Sequence, residues 1–299
     1  MNRESAPPQQ STPTSRTIRR QLRGKREDIA DLITRQTLPA DDMQPFDPFL
    51  LLNHHGPQIY PPGNGGLPFG PHPHRGFETV TFIVDGSVLH RDTGGHESAI
   101  RSGGVQWMTA GSGLEHAEES PREFLEQGGK LDILQLWVNL PARLKFTTPR
   151  YVGLQREEIP TITAPDERVR IHLISGTFGG ATGPVESLTG VVMMTVELSA
   201  GGKVTLPAPR SRNVLLYVVR GTIVVAGEEV PEFRLVEMND DGDEISIEAT
   251  DDALLIFGHA DPLREPVASH GPFVMNTREE ILQAIRDYQS GRFAGKVRL

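Results

Sequence analysis

The sequence predicts an all-β protein of two tandem β-barrels that ends in a helix. Glycine (31) and proline (24) are frequent among the 299 residues. Short β-branched runs recur between turn signals, roughly ten residues apart, as is typical of barrels and sandwiches. The runs also match one another along the chain, which indicates two copies of one unit.

Five runs carry the strand signal most clearly because they are rich in β-branched and aromatic residues. They are Thr79–Val84, Ile133–Val138, Val191–Leu198, Val214–Val219 and Ala253–Phe257.

The internal repeat aligns the two halves of the chain. Phe82–Leu89 matches Tyr217–Val224 at an offset of 135 residues, and Ile133–Leu136 matches Leu254–Phe257 at an offset of 121. Since the offset shrinks, the first copy has extra length between these strands, in the stretch that holds His116.

One helix is predicted, at the C-terminal end. Thr277–Glu280 reads as a capping box, and Gly291 supplies a stop. Apolar residues follow the capping box at helical spacing, at Ile281, Leu282, Ile285 and Tyr288.

Three parts are predicted along the chain. Residues 1–15, rich in Ser, Thr, Pro and Gln, form a disordered tail; residues 16–150 form the first barrel, and residues 151–299 the second barrel with its helix. The junction falls in Thr147–Ile162. The basic stretch after the tail leaves a transit peptide open, although Ile18–Leu22 also reads as an edge strand.

Composition excludes several classes of function. The chain has no cysteine, which rules out disulfides, thiolate metal sites and cysteine nucleophiles. A net charge of −9 and a pI near 5.6 argue against direct, sequence-independent nucleic-acid binding and fit a cytoplasmic protein. No run approaches the ~18 apolar residues of a membrane span. A protein partner remains compatible with this composition.

Two short pairs carry metal-type ligands at positions i and i+2. His72 and His74 form one pair, and His116 and Glu118 form the other. On an extended strand, residues two apart project to the same face. Three imidazoles and a carboxylate suit a divalent transition metal and leave coordination positions open.

The segments around these pairs, HPHRGFET (His72–Thr79) and WMTAGSGLEHAE (Trp107–Glu118), resemble the pirin family of the cupin superfamily. Phe46–Leu51 and Gly271–Glu280 resemble that family too. The resemblance implies a bicupin with one non-haem iron, Fe(II), in the N-terminal barrel, held by the four residues of the two pairs. Mn, Ni, Co, Cu and Zn are alternatives. Glu78 is then not a ligand but a neighbouring or structural group.

In the second barrel, Pro207 and Pro209 stand where the repeat would need histidines. Proline offers no side-chain donor atom, so this barrel is expected to be metal-free.

The resemblance implies two functions of different kinds. One is a quercetin 2,3-dioxygenase-like enzyme that acts on an enolic small molecule and O2, with the catalytic Glu118 as both ligand and proton acceptor. The alternative is a metal-dependent, redox-sensing regulator that acts through protein partners.

Five other positions have structural interpretations beside functional ones. His54 and His55 are adjacent on a strand, so they face opposite ways and one of them could line the pocket. Trp107 and Met108 are expected to pack in the core. Arg75 is expected to pair with an acid and hold its strand.

Overall fold

The computed structural model describes residues 14–39 and 46–293. The predicted disordered tail, residues 1–15, lies outside this part of the chain except for its last two residues. None of the helices within the described ranges is long and apolar enough to cross a membrane.

The first barrel consists of a seven-stranded and a four-stranded antiparallel sheet. Its strands are β2 (Lys25–Arg26), β3 (Thr34–Leu38), β4 (Phe49–Tyr60), β5 (Phe69–His74), β6 (Phe77–Asp85), β7 (Ser87–Asp92), β8 (Glu97–Arg101), β9 (Val105–Thr109), β10 (Leu114–Glu119), β11 (Gly129–Asn139) and β12 (Arg150–Leu154). The strand orders are β12-β9-β6-β11-β4-β3-β2 and β5-β10-β7-β8.

The second barrel repeats this arrangement of seven and four strands. Its strands are β1 (Ile18–Arg23), β13 (Thr161–Thr163), β14 (Val169–Ser175), β17 (Val192–Leu198), β18 (Lys203–Pro207), β19 (Asn213–Arg220), β20 (Thr222–Val225), β21 (Glu228–Pro231), β22 (Arg234–Met238), β23 (Glu244–Ala249) and β24 (Ala253–Ala260). The strand orders are β1-β22-β19-β24-β17-β14-β13 and β18-β23-β20-β21.

The remaining elements are two small hairpins and short helices. The hairpins pair β15 (Thr177–Phe178) with β16 (Ala181–Thr182) and β25 (Ala268–His270) with β26 (Phe273–Met275). The helices are α1 (Arg122–Gln127), α2 (Arg278–Gln289) and two 3-10 turns, Ala142–Leu144 and Arg156–Glu158.

The two seven-stranded sheets face each other across one hydrophobic core. Val80 and Phe82 of β6 meet the same cluster as Leu215 and Tyr217 of β19. Because side chains alternate along a strand, the residues between them point into the barrels instead. The barrels are therefore joined by a continuous apolar layer.

The interiors of the two barrels differ. The second is filled by a large cluster of aliphatic residues together with Phe257. In the first, the apolar interior includes Ile83, Leu131 and Ile133. Further along β11 the inward positions become Gln135 and Trp137, which line a cavity. In the first barrel, a packed apolar half thus adjoins a half with a polar cavity.

The first and the last described segments each contact the opposite barrel. Strand β1 is an edge strand, as Ile18–Leu22 predicted, but it pairs with β22 of the second barrel. At the other end, α2 contacts the first barrel through an ion pair between Asp287 and Arg75 at 2.8 Å. Contacts therefore cross the predicted division at residue 150: β1 precedes it but pairs with the second barrel, and α2 follows it but contacts the first.

The fold class and the five strand predictions are confirmed, and so is the C-terminal helix. Thr277 caps α2 with both bonds of a capping box. Helix α1 was not predicted; it lies in the extra length of the first copy.

The second repeat offset was wrong by one residue. Phe82 pairs with Leu134, and its counterpart Tyr217 pairs with Ile256, so the offset there is 122 rather than 121. A slip of one residue exchanges the two faces of a strand. The correct offset matches Trp137 to His259.

Candidate metal centre

Three histidines converge inside the first barrel. His72 and His74 lie on β5, and His116 lies on β10 directly opposite His72. Their ligand atoms all lie within 4.8 Å of one another. Ring centroids are 4.3 Å apart for His72 and His116 and 4.9 Å apart for His74 and His116. The i, i+2 spacing and the cross-strand pairing together bring these rings to one point.

The hydrogen bonds of the rings fit a metal site. His72 Nδ1 donates to the carbonyl of Gly70 at 2.7 Å, and His74 Nδ1 lies 3.4 Å from the carbonyl of Pro272. These contacts direct each Nε2 away from the backbone. Such a bond to the second ring nitrogen is typical of metal-ligating histidines.

The burial of His116 is a further indication of a metal site. It is 1% exposed, and neither ring nitrogen has a hydrogen-bond partner among the described residues. A buried imidazole without partners is costly, so these nitrogens are suited to a ligand that the protein atoms do not supply.

Burial keeps these imidazoles in the form that binds metal. Desolvation, followed by the neighbouring His72, lowers the pKa of His74 to about 3. Desolvation, with His74 and His72 next, also places the pKa of His116 well below its ordinary value. Both rings are therefore neutral at pH 7, as ligation requires.

Glu118 lies on the same strand as His116, beyond an irregularity in the β5–β10 register. It is not part of the group within 4.8 Å, but it is buried and lines the same cavity. Thr81 Oγ1 donates to Glu118 Oε1 at 2.9 Å. The Gln135 side-chain amide lies 2.8 Å from that hydroxyl. The atom at this distance is the amide oxygen, Oε1, and since the hydroxyl has one proton it donates to only one of the two oxygens at a time.

The cavity beside the histidines measures about 250 Å³. This is slightly below the ~300–1,000 Å³ that is usual for small-molecule sites. It lies between the two sheets of the barrel. One sheet contributes Phe69, His72, His74 and Glu118; the other contributes Leu51, Asn53, His55, Gln135 and Trp137, and Pro272 comes from the C-terminal segment.

His54 and His55 do face opposite ways. His55 lines the cavity, with its Nδ1 2.8 Å from Thr34 Oγ1. Desolvation lowers the pKa of His55 to about 3, so it presents a neutral ring. His54 points toward the other barrel. Its Nε2 donates to Asp132 Oδ1 on the neighbouring strand β11 at 2.6 Å, and its Nδ1 lies 3.0 Å from the hydroxyl of Tyr217 in the second barrel.

Glu78 faces away from the histidines. It has the same parity on β6 as Val80, and Thr109 Oγ1 donates to its Oε1 at 2.7 Å. Burial raises the pKa of Glu78, with partial compensation from this hydrogen bond. The expectation of a structural role agrees with this position.

Arg75 and the two core candidates behave as predicted. Trp107 and Met108 are buried in apolar clusters. Arg75 pairs with Asp287, and its guanidinium lies 4.5 Å from the ring centroid of Phe293. These contacts fasten the C-terminal helix to the strand end that carries His74.

The sequence analysis did not predict the cavity wall that Gln135 and Trp137 form. Gln135 and Trp137 belong to a strand recognised from its β-branched residues, but their inward direction depends on the register with β4 and β6. The spacing of Leu51, Asn53 and His55, two residues apart along β4, was the sequence feature that could have indicated this wall.

Comparison with known proteins identifies the family. The model described as Pirin matches residues 31–138, and that described as Pirin C-terminal cupin domain matches residues 193–294. The chain belongs to the pirin family. The bicupin fold is thereby shown, and the histidine group occupies the N-terminal barrel of a pirin.

Individual relatives cover most of the chain. A Pseudomonas aeruginosa protein provisionally named quercetin 2,3-dioxygenase is 41% identical over 250 residues, covering 84% of this chain and 87% of its own length. Human pirin is 36% identical, with coverages of 86% and 87%. The crystal structure of a quercetin 2,3-dioxygenase from Acinetobacter baumannii has a TM-score of 0.87 at 32% identity and covers 94% of this chain and 99% of that one.

Proposed function

We propose that this pirin is a metal-dependent dioxygenase that cleaves flavonol-like or other enolic substrates with O2. Its metal is Fe(II), held by His72, His74, His116 and Glu118. The observation that carries the proposal is the buried His116, which has no hydrogen-bond partner among the described residues and belongs to a group of histidines that lines a cavity of about 250 Å³. The resemblance to proteins named quercetin 2,3-dioxygenase supports the reaction class.

When bound, Fe(II) would supply Lewis acidity toward an enolic oxygen and the redox chemistry that O2 requires. The residues of the chain supply the rest. Glu118 accepts a hydrogen bond from the hydroxyl of Thr81 and lines the cavity, and it would accept the enolic proton. Neutral imidazoles at His74 and His116 add no positive charge that would oppose metal binding.

The far wall of the cavity supports a substrate with more than one oxygen. Asn53, His55 and Gln135 are polar groups on the sheet opposite the histidines. The ring of Trp137 offers an apolar surface for a planar substrate. A polar aromatic or enolic molecule matches this combination better than an aliphatic one.

Oxygen uptake tests the proposal. Iron-loaded protein is expected to consume O2 with quercetin or with another member of a panel of enolic and catecholic compounds. Metal-free protein and iron-loaded protein without substrate are the controls. Uptake that is absent across the whole panel contradicts the dioxygenase proposal and favours the regulatory alternative, in which the metal acts through protein contacts.

Replacement of His74 by alanine is expected to remove most of the bound metal, because it deletes one of three converging imidazoles. The fold should persist, since the substitution leaves the strand pairing of β5 intact. Metal content by elemental analysis and circular dichroism measure the two effects.

The matched control is His270→Ala, which removes an exposed histidine on β25. It should leave metal content unchanged. Full metal occupancy in a His72/His74 double variant contradicts the assignment.

A further inference from the structure

The mouth of each barrel is crossed by a segment from the opposite end of the chain. In the first barrel, Arg75 forms a parallel bridge with Phe273, and the Val274 amide donates to the Arg75 carbonyl at 3.1 Å. In the second, Ser15 forms a parallel bridge with Glu244. Each barrel mouth is therefore crossed by a segment that is distant in sequence, although the two segments bridge to different strands.

The crossing segment of the second barrel inserts a buried guanidinium. Arg16 is 1% exposed, although its neighbours on the segment are largely exposed. Its nitrogens donate to four backbone carbonyls and one carboxylate. The acceptors are Ala208 O at 2.8 Å, Gly242 O at 3.2 Å, Arg212 O at 3.0 Å, Pro209 O and Asp240 Oδ1 at 3.3 Å.

The guanidinium lies at the counterpart of the metal-type pair. The repeat offset of 135 matches His72 with Pro207 and His74 with Pro209. Strand β18 pairs with β23 as β5 pairs with β10, which confirms that the strand ends correspond. The carbonyls of Ala208 and Pro209 thus come from the strand end that supplies histidines in the first barrel.

A buried histidine lies near the guanidinium. His259, the counterpart of Trp137, is buried, and its Nδ1 has no partner within the described residues. Burial, assisted by the positive charges of Arg212 and Arg16, lowers the pKa of His259 to about 3. Three aspartates, Asp240, Asp241 and Asp243, lie close enough to Arg16 to favour its charged form, so the guanidinium is balanced by carboxylates as well as by carbonyls.

We propose that the mouth of the second barrel is a guanidinium site that Arg16 fills in cis. The planar fork of a guanidinium holds five N–H donors in fixed directions, which suits acceptors that are spread around one plane, whereas an ammonium group is a compact point charge with three donors. In the first barrel, a bound metal ion would supply the positive charge. In the second barrel, the side chain of Arg16 supplies it. The N-terminal segment is then part of the second barrel rather than a tail.

Chemical rescue of a shortened side chain tests this site in the full-length protein. Arg16→Ala leaves buried carbonyls without donors, and the thermal midpoint is expected to fall by about 5–10 °C. Methylguanidinium at millimolar concentration should restore part of the midpoint with a saturable dependence. Ammonium at equal ionic strength should not.

Arg19→Ala is the matched control, because Arg19 lies on the same segment with a side chain that is 67% exposed. It should shift the midpoint little and gain nothing from methylguanidinium. If Arg16→Ala does not accumulate as folded protein, Arg16→Lys and refolding yield with and without methylguanidinium provide the same comparison.

Two outcomes overturn the proposal. One is equal stability of Arg16→Ala and Arg19→Ala. The other is equal stabilisation of Arg16→Ala by methylguanidinium and ammonium, which would show a nonspecific ionic effect. Neither readout depends on iron or on turnover, so the result is independent of the proposed enzymatic function.

Discussion

Replacing Glu118 by glutamine is expected to lower turnover per bound metal by ~10²–10⁴-fold, the range of a general-base contribution. Part of the metal should remain, because three imidazoles are untouched. Glutamine keeps the size of the side chain and an oxygen that can accept from Thr81, which donates to Oε1 at 2.9 Å in the native protein. What is lost is the negative charge and the ability to take a proton.

The measurement is O2 consumption per bound metal with a flavonol such as quercetin. Glu119→Gln is a matched control, since it makes the same chemical change one residue along β10, on the opposite face. Glu119 pairs with Arg91 at 3.0 Å near the surface, an interaction worth at most ~1 kcal/mol. Equal rates per metal for Glu118→Gln and the native protein would leave Glu118 without a role as base.

Much of the metal site could be predicted because its candidate ligands lie close together in the sequence. Spacing of two residues on a strand places both members of a pair on one face, so His72 and His74 could be recognised as partners. The same holds for the capping box at Thr277, whose bonds join residues three apart. Patterns of this kind need no knowledge of tertiary structure.

The features that escaped prediction depend on long-range register. Pairing of β1 with β22 joins segments more than two hundred residues apart, and neither carries a signal for the other. Alignment by similarity alone placed Leu136 on Phe257, although those residues point into different layers. The residue types could not reveal this one-residue error, because a strand that is buried on both sides carries aliphatic side chains on both faces.

The burial of Arg16 could not be predicted from the sequence for a different reason. Its acceptors are mainly backbone carbonyls, which every residue possesses. A basic run at the N-terminal end was equally compatible with targeting, an edge strand or solvent exposure. Only the path of the chain across the second barrel distinguishes this arginine from the exposed Arg19.

The polar cluster between the barrels offers the largest expected effect on stability. Asp132 is 1% exposed and accepts from two groups, His54 Nε2 and Arg220 Nη2, both at 2.6 Å. His54 belongs to the first barrel and Arg220 to the second. The carboxylate therefore ties the two barrels together within an otherwise apolar layer.

Asp132→Ala is expected to lower the free energy of unfolding by ~3–5 kcal/mol, the usual cost of removing one partner from a buried pair. Asp85→Ala is the matched control: Asp85 contacts the same Arg220 nitrogen, but its side chain is 31% exposed. Its loss should cost ~1 kcal/mol or less, because water can replace the carboxylate. Urea unfolding followed by tryptophan fluorescence measures both variants.

The comparison separates burial from charge. Both substitutions remove one negative charge from Arg220, so an explanation based on net charge predicts equal effects. An explanation based on desolvation predicts a large difference, since only Asp132→Ala leaves the His54 N–H without an acceptor inside the protein. Because β4 carries both His54 and His55, metal content measured at low temperature provides a further check. It should stay near native in Asp132→Ala if the cluster fastens the barrels together, and a parallel loss of metal would instead assign the cluster to the metal centre.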